Sequence, residues 1–284
     1  MDRLGGGLCS LRRNGVPLVE ERAAGEPAPR CSGSVLFPWP NRVRGARWTH
    51  HGLVQELPIT DPELGHANHG LVLGTWFTVV DRAPHSVTLQ AQVPPQAGYP
   101  FEVTVQLGYS LGADGLTVRS TVQTGAAAAP VALGFHPYLR LGDLPAEDLT
   151  VTVDATTVLE TDDRLIPVGA RPVAGGPTDL RGGAQLGDRV LNHCYHGLTE
   201  TDGRRQVDLV GRGPQILRVW FDKSFDYVQV YVCPDFPRGS GGAARALAVE
   251  PMTAAPDALN SGAGLRWLDP RATWACSWGI AVLS

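Results

Sequence analysis

The 284 residues are enough for one large all-β domain or two ordinary domains, and we expect a single domain over 1–284 because no linker or composition change divides the chain. Hydrophobic residues make up 43% and charged residues 18%, which excludes a chain disordered over most of its length. The net charge is −4, and Lys and Arg are scattered rather than collected in runs, so we predict no nucleic-acid partner and no membrane partner.

The cysteines and the N-terminal segment indicate the compartment. There are 5 cysteines, far apart, odd in number and without a C-x-x-C pair, which is typical of reduced thiols rather than of a disulfide framework. The first residues contain no apolar core of signal-peptide length, and no later run is long enough to span a bilayer. We therefore expect a cytoplasmic protein.

Apolar and polar residues alternate with a period of two along much of the chain, which predicts half-buried strands. The alternating segments are 87–93, 103–109, 116–122, 149–153, 217–221 and 228–232. Turn-forming glycines lie between them, at 112–115, 175–176 and 203. The last helical candidate, 243–260, is interrupted by Pro251 and Pro256. The pattern predicts an all-β fold, an antiparallel β-sandwich or barrel-like sandwich.

The first segment with functional character runs from Phe37 to Gly45 and reads F-P-W-P-N-R-V-R-G. Its two prolines stiffen the backbone beside an indole, an amide and a guanidinium. Sugars offer C–H faces for stacking on Trp39 and hydroxyls for Arg42, so this segment favours sugar binding. The structural alternative is a proline-rich turn with Arg42 in a surface ion pair.

Two histidines lie in glycine-flanked segments, Asn68-His69-Gly70 and Gly134-Phe135-His136-Pro137-Tyr138. A single histidine is more often structural than catalytic, although its pKa suits proton transfer. The proline after His136 favours an extended backbone there and helps to hold the imidazole in one orientation.

Glu250 follows an apolar alternation and immediately precedes Pro251. Partial desolvation at such a position raises a carboxyl pKa towards that of a general base. The alternative is a structural glutamate that ends a strand or pairs with Arg42 or Arg245.

Other chemistries have weaker signals. His66 and His69 form H-x-x-H, and His193, Cys194 and His196 form a second cluster, but neither has the context of a zinc motif, so we predict no metal. The chain has no G-x-S-x-G elbow, and Glu250 has no evident second carboxylate of the kind a glycosidase needs.

Taken together, these segments resemble the aldose 1-epimerase (galactose mutarotase) family along nearly the whole chain. Their order and spacing carry the resemblance. The matching segments are Gly5-Gly6-Gly7-Leu8, Gly15-Val16-Pro17-Leu18, Pro38-Trp39-Pro40-Asn41-Arg42, Asn68-His69-Gly70-Leu71, Tyr99-Pro100-Phe101, Leu116 in its strand, Gly134-Phe135-His136-Pro137-Tyr138, Glu250-Pro251-Met252-Thr253 and Asp257-Ala258-Leu259-Asn260.

The resemblance implies a large antiparallel β-sandwich, the galactose mutarotase-like supersandwich, whose concave face holds a sugar. It implies an isomerase that interconverts α and β anomers of a free aldose by ring opening and reclosure, without cofactor. His136 would protonate the ring oxygen and Glu250 would take the proton of the C1 hydroxyl. Arg42 and His69 would bind hydroxyls, beside Trp39 and Asn41.

The sugar itself stays open. The family commonly has an aspartate where we align Asn192, and an amide binds a hydroxyl without charge, so sugar preference can differ. One alternative is a mutarotase for sulfonated or phosphorylated hexoses; a phosphate site would need several Arg or Lys residues, and near the motifs only Arg42, Arg44 and Arg47 are available. Another is a non-catalytic carbohydrate-binding or sensor domain on the same fold. We expect a monomer or homodimer whose partner is a small-molecule sugar.

Overall fold

Nearly all of the regular secondary structure is β-strand. The computed structural model describes residues 1–238 and 241–283. In chain order the strands are β1 (Arg12–Arg13), β2 (Val16–Pro17), β3 (Val35–Leu36), β4 (Arg42–Val43), β5 (Arg47–His50), β6 (Leu53–Glu56), β7 (Ala67–Asn68), β8 (Thr78–Ala83), β9 (Ser86–Val93), β10 (Val103–Gly112), β11 (Gly115–Thr124), β12 (Ala129–Val131), β13 (Gly134–Phe135), β14 (Tyr138–Leu139), β15 (Thr150–Val153), β16 (Ala155–Thr161), β17 (Pro167–Pro172), β18 (Ala184–Gln185), β19 (Asn192–Leu198), β20 (Arg204–Val210), β21 (Ile216–Asp222), β22 (Tyr227–Arg238), β23 (Gly242–Met252), β24 (Arg266–Leu268) and β25 (Thr273–Leu283).

Helices are few and short. Within the described residues the only α-helix is α1 (Ala258–Ser261), and short 3-10 turns lie at Pro29–Cys31, Arg44–Ala46 and Ala146–Asp148. None of the helices in this part of the chain is long and apolar enough to cross a membrane.

Two large antiparallel sheets build the fold, which confirms the predicted fold class. One sheet has nine strands in the order β18-β15-β20-β21-β25-β11-β10-β9-β8. The other has eight strands, in the order β17-β16-β19-β22-β23-β13-β3 with β14 also pairing with β23. Each alternating segment of the sequence lies in or overlaps a strand, namely β9, β10, β11, β15, β21 and β22. These strands form where predicted because alternation and turn glycines are local signals.

The two sheets share one hydrophobic core. Val105 and Val118 enter it from the nine-stranded sheet, Val230 and Val249 from the eight-stranded one, and all four are fully buried. Each buried aliphatic side chain contributes about 1.5–3 kcal/mol of transfer free energy. The core therefore holds the eight-stranded sheet rigidly from one side.

The opposite face of the eight-stranded sheet carries polar side chains. Successive side chains of a strand point to opposite faces, so Gln229 and Tyr231 point away from the core that Val228 and Val230 enter. In β23 the same rule separates Glu250 from Val249. Alternation in two neighbouring strands thus places a carboxyl and an amide side by side on a supported surface.

Candidate active site

A cavity of about 520 Å³ lies over this polar face and collects most of the residues selected from the sequence. Strands β19, β22 and β23 supply part of its wall, and connecting segments supply the rest. The lining residues with polar or aromatic side chains include Asn41, Arg42, Asp61, Asn68, His69, His136, Tyr138, Asn192, Gln229, Tyr231 and Glu250. A second cavity of about 650 Å³ is larger, but it contains none of the predicted site residues.

His136 and Glu250 are in direct contact. The Nε2 atom of His136 lies 3.3 Å from Oε1 of Glu250, and both side chains are almost fully buried. The backbone N–H of His136 donates to the Ser34 carbonyl, and the imidazole stacks on the Tyr138 ring at 5.1 Å between centroids. The pair is therefore held between β13, β14 and β23 in one geometry.

Burial moves the two pKa values in opposite directions. It raises the pKa of Glu250 to about 8, although the positive charge of Arg42 acts against this rise. It lowers the pKa of His136 to about 4. Low dielectric disfavours the charged form of each group, so at neutral pH the pair holds one titratable proton, on Glu250, beside a neutral imidazole. The sequence predicted the upward shift of the Glu250 pKa but not the downward shift of the His136 pKa.

His69 faces the same space as a hydrogen-bond donor. Its backbone has a φ of +63°, and its Nδ1 accepts the backbone N–H of Asn41 at 3.2 Å. Burial first, and then the charges of His136 and Arg42, lower the pKa of His69 well below its usual value. A neutral imidazole that accepts at Nδ1 carries its hydrogen on Nε2, so His69 can donate to a sugar oxygen.

Potential metal ligands need separate consideration. Among the described residues, His69, His136 and Glu250 form one group whose ligand atoms lie within 4.8 Å of one another. A metal needs a free lone pair on each imidazole, whereas Nδ1 of His69 is occupied by Asn41 and its Nε2 carries hydrogen. In this arrangement His69 is a hydrogen-bond donor at Nε2 and offers no lone pair to a cation.

Arg42 is oriented by an acidic residue that the sequence reasoning missed. Its Nε donates to Oδ2 of Asp61 at 2.9 Å, with both side chains less than one-fifth exposed. Its backbone N–H donates to the side-chain oxygen of Asn41. The terminal guanidinium nitrogens form no hydrogen bond within the described residues, which leaves them for a ligand. Asp61 lies in a Thr-Asp-Pro turn, a sequence that reads as ordinary loop chemistry.

Asn192 lies in the cavity, and a second missed residue holds it there. Nε2 of Gln229 donates to Oδ1 of Asn192 at 2.7 Å. Gln229 pairs in register with Cys194 on one side and with Glu250 on the other, so it connects Asn192 to the catalytic candidates. The available signal was an amide between two valines, Val228 and Val230, at a position that the fold buries.

The structure does not bring Trp39 to the cavity, which corrects its predicted role in sugar stacking. The indole is 1% exposed, its Nε1 is buried without a partner, and its ring packs against Tyr99 at 6.2 Å. An aromatic residue between two prolines resembles a binding platform in sequence, but burial decides whether its face is free.

We expect Trp39→Phe to leave the KM for sugar within about twofold while lowering the free energy of unfolding by about 1–3 kcal/mol. The measurement is steady-state kinetics together with denaturant unfolding. A KM raised tenfold at unchanged stability would restore the stacking role.

The fold also separates the three arginines considered for a phosphate site, Arg42, Arg44 and Arg47. Only Arg42 of the three lines the cavity. Nε of Arg44 lies 3.4 Å from Oδ2 of Asp257, and Nη2 of Arg47 lies 2.7 Å from Oε1 of Glu56. A phosphate in the cavity would therefore meet Arg42 and Arg30 and not the Arg42-Arg44-Arg47 group.

Comparisons with known proteins identify the family of this chain. The sequence profile of the family described as Aldose 1-epimerase matches residues 2–278. The uncharacterized protein YihR of Escherichia coli is 30% identical over 94% of this chain and 84% of its own length. Human galactose mutarotase is 34% identical over 36% of this chain and 31% of its own.

Solved structures repeat the fold at lower sequence identity. The GalM/aldose epimerase homologue from C. elegans has a TM-score of 0.85 at 19% identity, covering 99% of this chain and 94% of that one. Galactose 1-epimerase from Lactobacillus acidophilus has a TM-score of 0.80 at 18% identity, covering 99% and 89%. With a family profile over nearly its full length and this fold, the chain belongs to the aldose 1-epimerase family.

Proposed function

We propose that this protein interconverts the α and β anomers of a free aldose, with His136 and Glu250 as the proton-transfer pair. The observation that carries the proposal is the 3.3 Å contact between two buried groups whose pKa values are shifted in opposite directions. Perturbed pairs of this kind in a cleft are characteristic of acid and base catalysis.

Ring opening requires one group that gives a proton and one that takes a proton. Glu250 takes the proton of the C1 hydroxyl while the bond between C1 and the ring oxygen breaks, and His136 gives a proton to the ring oxygen. The aldehyde then rotates about C1–C2, and the same transfers in reverse close the ring as the other anomer. Atoms and protons balance, and neither residue changes its net state over a cycle.

The reactive form has the proton on His136 and none on Glu250. This form contains the same number of protons as the resting form. Because Nε2 of His136 lies 3.3 Å from Oε1 of Glu250, the proton can pass between the two residues. Oε2 of Glu250 is buried and has no hydrogen-bond partner among the described residues. A buried polar atom needs such a partner, and a sugar hydroxyl would supply it. Arg42 and His69 would donate to hydroxyls and stabilise charge that develops on the ring oxygen.

The cavity suits a small polar molecule. Its volume of about 520 Å³ falls within the range of small-molecule sites. Asn192 and Gln229 offer amide groups on one wall, and Arg42 offers a cation on another. The five cysteines are all unpaired, and we place the activity in the cytoplasm.

Polarimetric relaxation of freshly dissolved α-glucose, α-galactose, glucose 6-phosphate and a sulfonated hexose tests the proposal. We expect the wild type to accelerate the decay for at least one sugar, and His136→Ala to lose about 10²–10⁴-fold of that acceleration. His85→Ala, an exposed histidine, is the matched control. A wild type that binds a sugar but accelerates none would overturn catalysis and favour the sensor alternative.

A further inference from the structure

His66 belongs to the H-x-x-H motif, yet it takes no part in the chemistry above. Its side chain is completely buried, and both ring nitrogens are hydrogen-bonded to backbone groups of other segments. The N–H of Gly45 donates to Nδ1 at 3.0 Å, and Nε2 lies 3.1 Å from the carbonyl oxygen of Arg164. These partners require a lone pair on Nδ1 and a hydrogen on Nε2, which is the neutral imidazole.

The backbone of His66 closes the segment 60–64, which forms one wall of the cavity. The N–H groups of Thr60 and Asp61 both donate to the His66 carbonyl at 3.0 Å, and the His66 N–H donates to the Asp61 carbonyl at 3.1 Å. The imidazole thus connects this wall to the segments around Gly45 and Arg164.

The same wall positions Arg42. Asp61 holds the Arg42 guanidinium at 2.9 Å, and Nε of Arg164 donates to the Leu64 carbonyl at 3.0 Å. Displacement of the wall would therefore move both the cavity lining and the cation that faces it. The charged groups that face His66 are Arg164, Arg42 and Asp61.

We propose that neutral His66 is a positioning residue that holds the wall 60–64 and Arg42 in the sugar-binding arrangement, and that its protonation releases them and weakens sugar binding. This inference rests on the proposed function in using Arg42 as a binding group. Protonation would place a hydrogen on Nδ1 against the N–H of Gly45, so two donors would face each other.

The direction of the pH response follows from the surroundings. Burial first, and then the charge of Arg164, lower the pKa of His66, so the neutral form holds at pH 7 and is lost on acidification. Sugar affinity is then complete above the ordinary histidine pKa of ~6.5 and falls as the pH drops through the lower pKa of the folded chain.

Conservative variants separate the two ring contacts. His66→Asn retains an acceptor near the Nδ1 position for Gly45 but cannot be protonated, whereas His66→Gln retains only a donor near the Nε2 position. We expect His66→Gln to raise the sugar Kd and KM about tenfold with kcat nearly unchanged. His66→Asn should have the wild-type sugar Kd at pH 7.5. At acid pH its Kd should stay the same, whereas the Kd of the wild type rises. His85→Gln is the surface control.

The experiment measures the sugar Kd by calorimetry and KM by polarimetry from pH 7.5 down to the lowest pH at which near-UV circular dichroism shows the folded chain. The proposal is overturned if the wild-type Kd does not change over this range. It is also overturned if the Kd of His66→Asn changes with pH as much as that of the wild type. Both outcomes can be read even if His66→Gln does not fold. A wild type that binds sugar without catalysing its interconversion overturns the proposed function but not the role of His66. The Kd series tests His66 in either case, because it measures binding alone.

Discussion

Glu250→Gln is expected to lower kcat by about 10²–10⁴-fold and, at the same time, to make the protein more stable. Glutamine has nearly the shape of glutamate, but it cannot take the proton of the C1 hydroxyl. Nearly all of the Glu250 side chain is buried, so the substitution also removes a carboxyl that would be ionised in water at neutral pH.

The gain in stability has a defined pH dependence. The folded chain keeps the proton on Glu250 up to about pH 8, whereas an unfolded chain releases it near ~4.3. The wild type is therefore most stable, with respect to this group, below the unfolded pKa, and it loses stability as the pH rises through about 8. The linkage corresponds to about 4 kcal/mol at pH 7, and the cost of burying the amide of glutamine would cancel part of it.

Polarimetry and calorimetric unfolding at pH 5 and pH 8 measure both effects. We expect the Tm of Glu250→Gln to exceed that of the wild type by about 5 °C at pH 8 and by little at pH 5. Glu200→Gln, at an exposed glutamate, is the matched control and should change neither quantity. Full activity in Glu250→Gln would remove Glu250 from the mechanism.

The second large effect is the loss of activity at alkaline pH. We expect kcat/KM to fall about tenfold per pH unit above about pH 8, where Glu250 releases the one proton that the pair holds. His136 then has no proton to give to the ring oxygen. At the acid end, kcat/KM should fall below about pH 4, where His136 takes a second proton and no base is left. An effect of His66 differs from this one because it appears in KM with kcat nearly unchanged.

Rates corrected for buffer catalysis, with circular dichroism at each pH, give this profile. Because the pair holds a single proton between these limits, kcat should vary little from pH 5 to 7. A single limb near the ordinary histidine value of ~6.5 would instead assign the chemistry to an exposed imidazole and contradict the buried pair.

Asp61 and Gln229 illustrate what sequence reasoning could not reach. Each lies among residues with an ordinary structural explanation, a turn for Asp61 and a strand for Gln229. Their importance arises from partners distant in sequence, Arg42 and Asn192. Trp39 is the opposite case, a residue that sequence reasoning included wrongly. Its chemistry suits sugar binding, but the fold buries it.

The sequence by itself determined six of the strands, the antiparallel all-β fold and four central side chains of the cavity, Arg42, His69, His136 and Glu250. Alternation, turn glycines and short motifs are local, so they can be read without knowing what packs against them. Only the tertiary structure decided which polar residues share the cavity, which are buried elsewhere and how the pKa values move. Burial and long-range pairing set those properties, and both depend on segments that meet only when the sheets have formed.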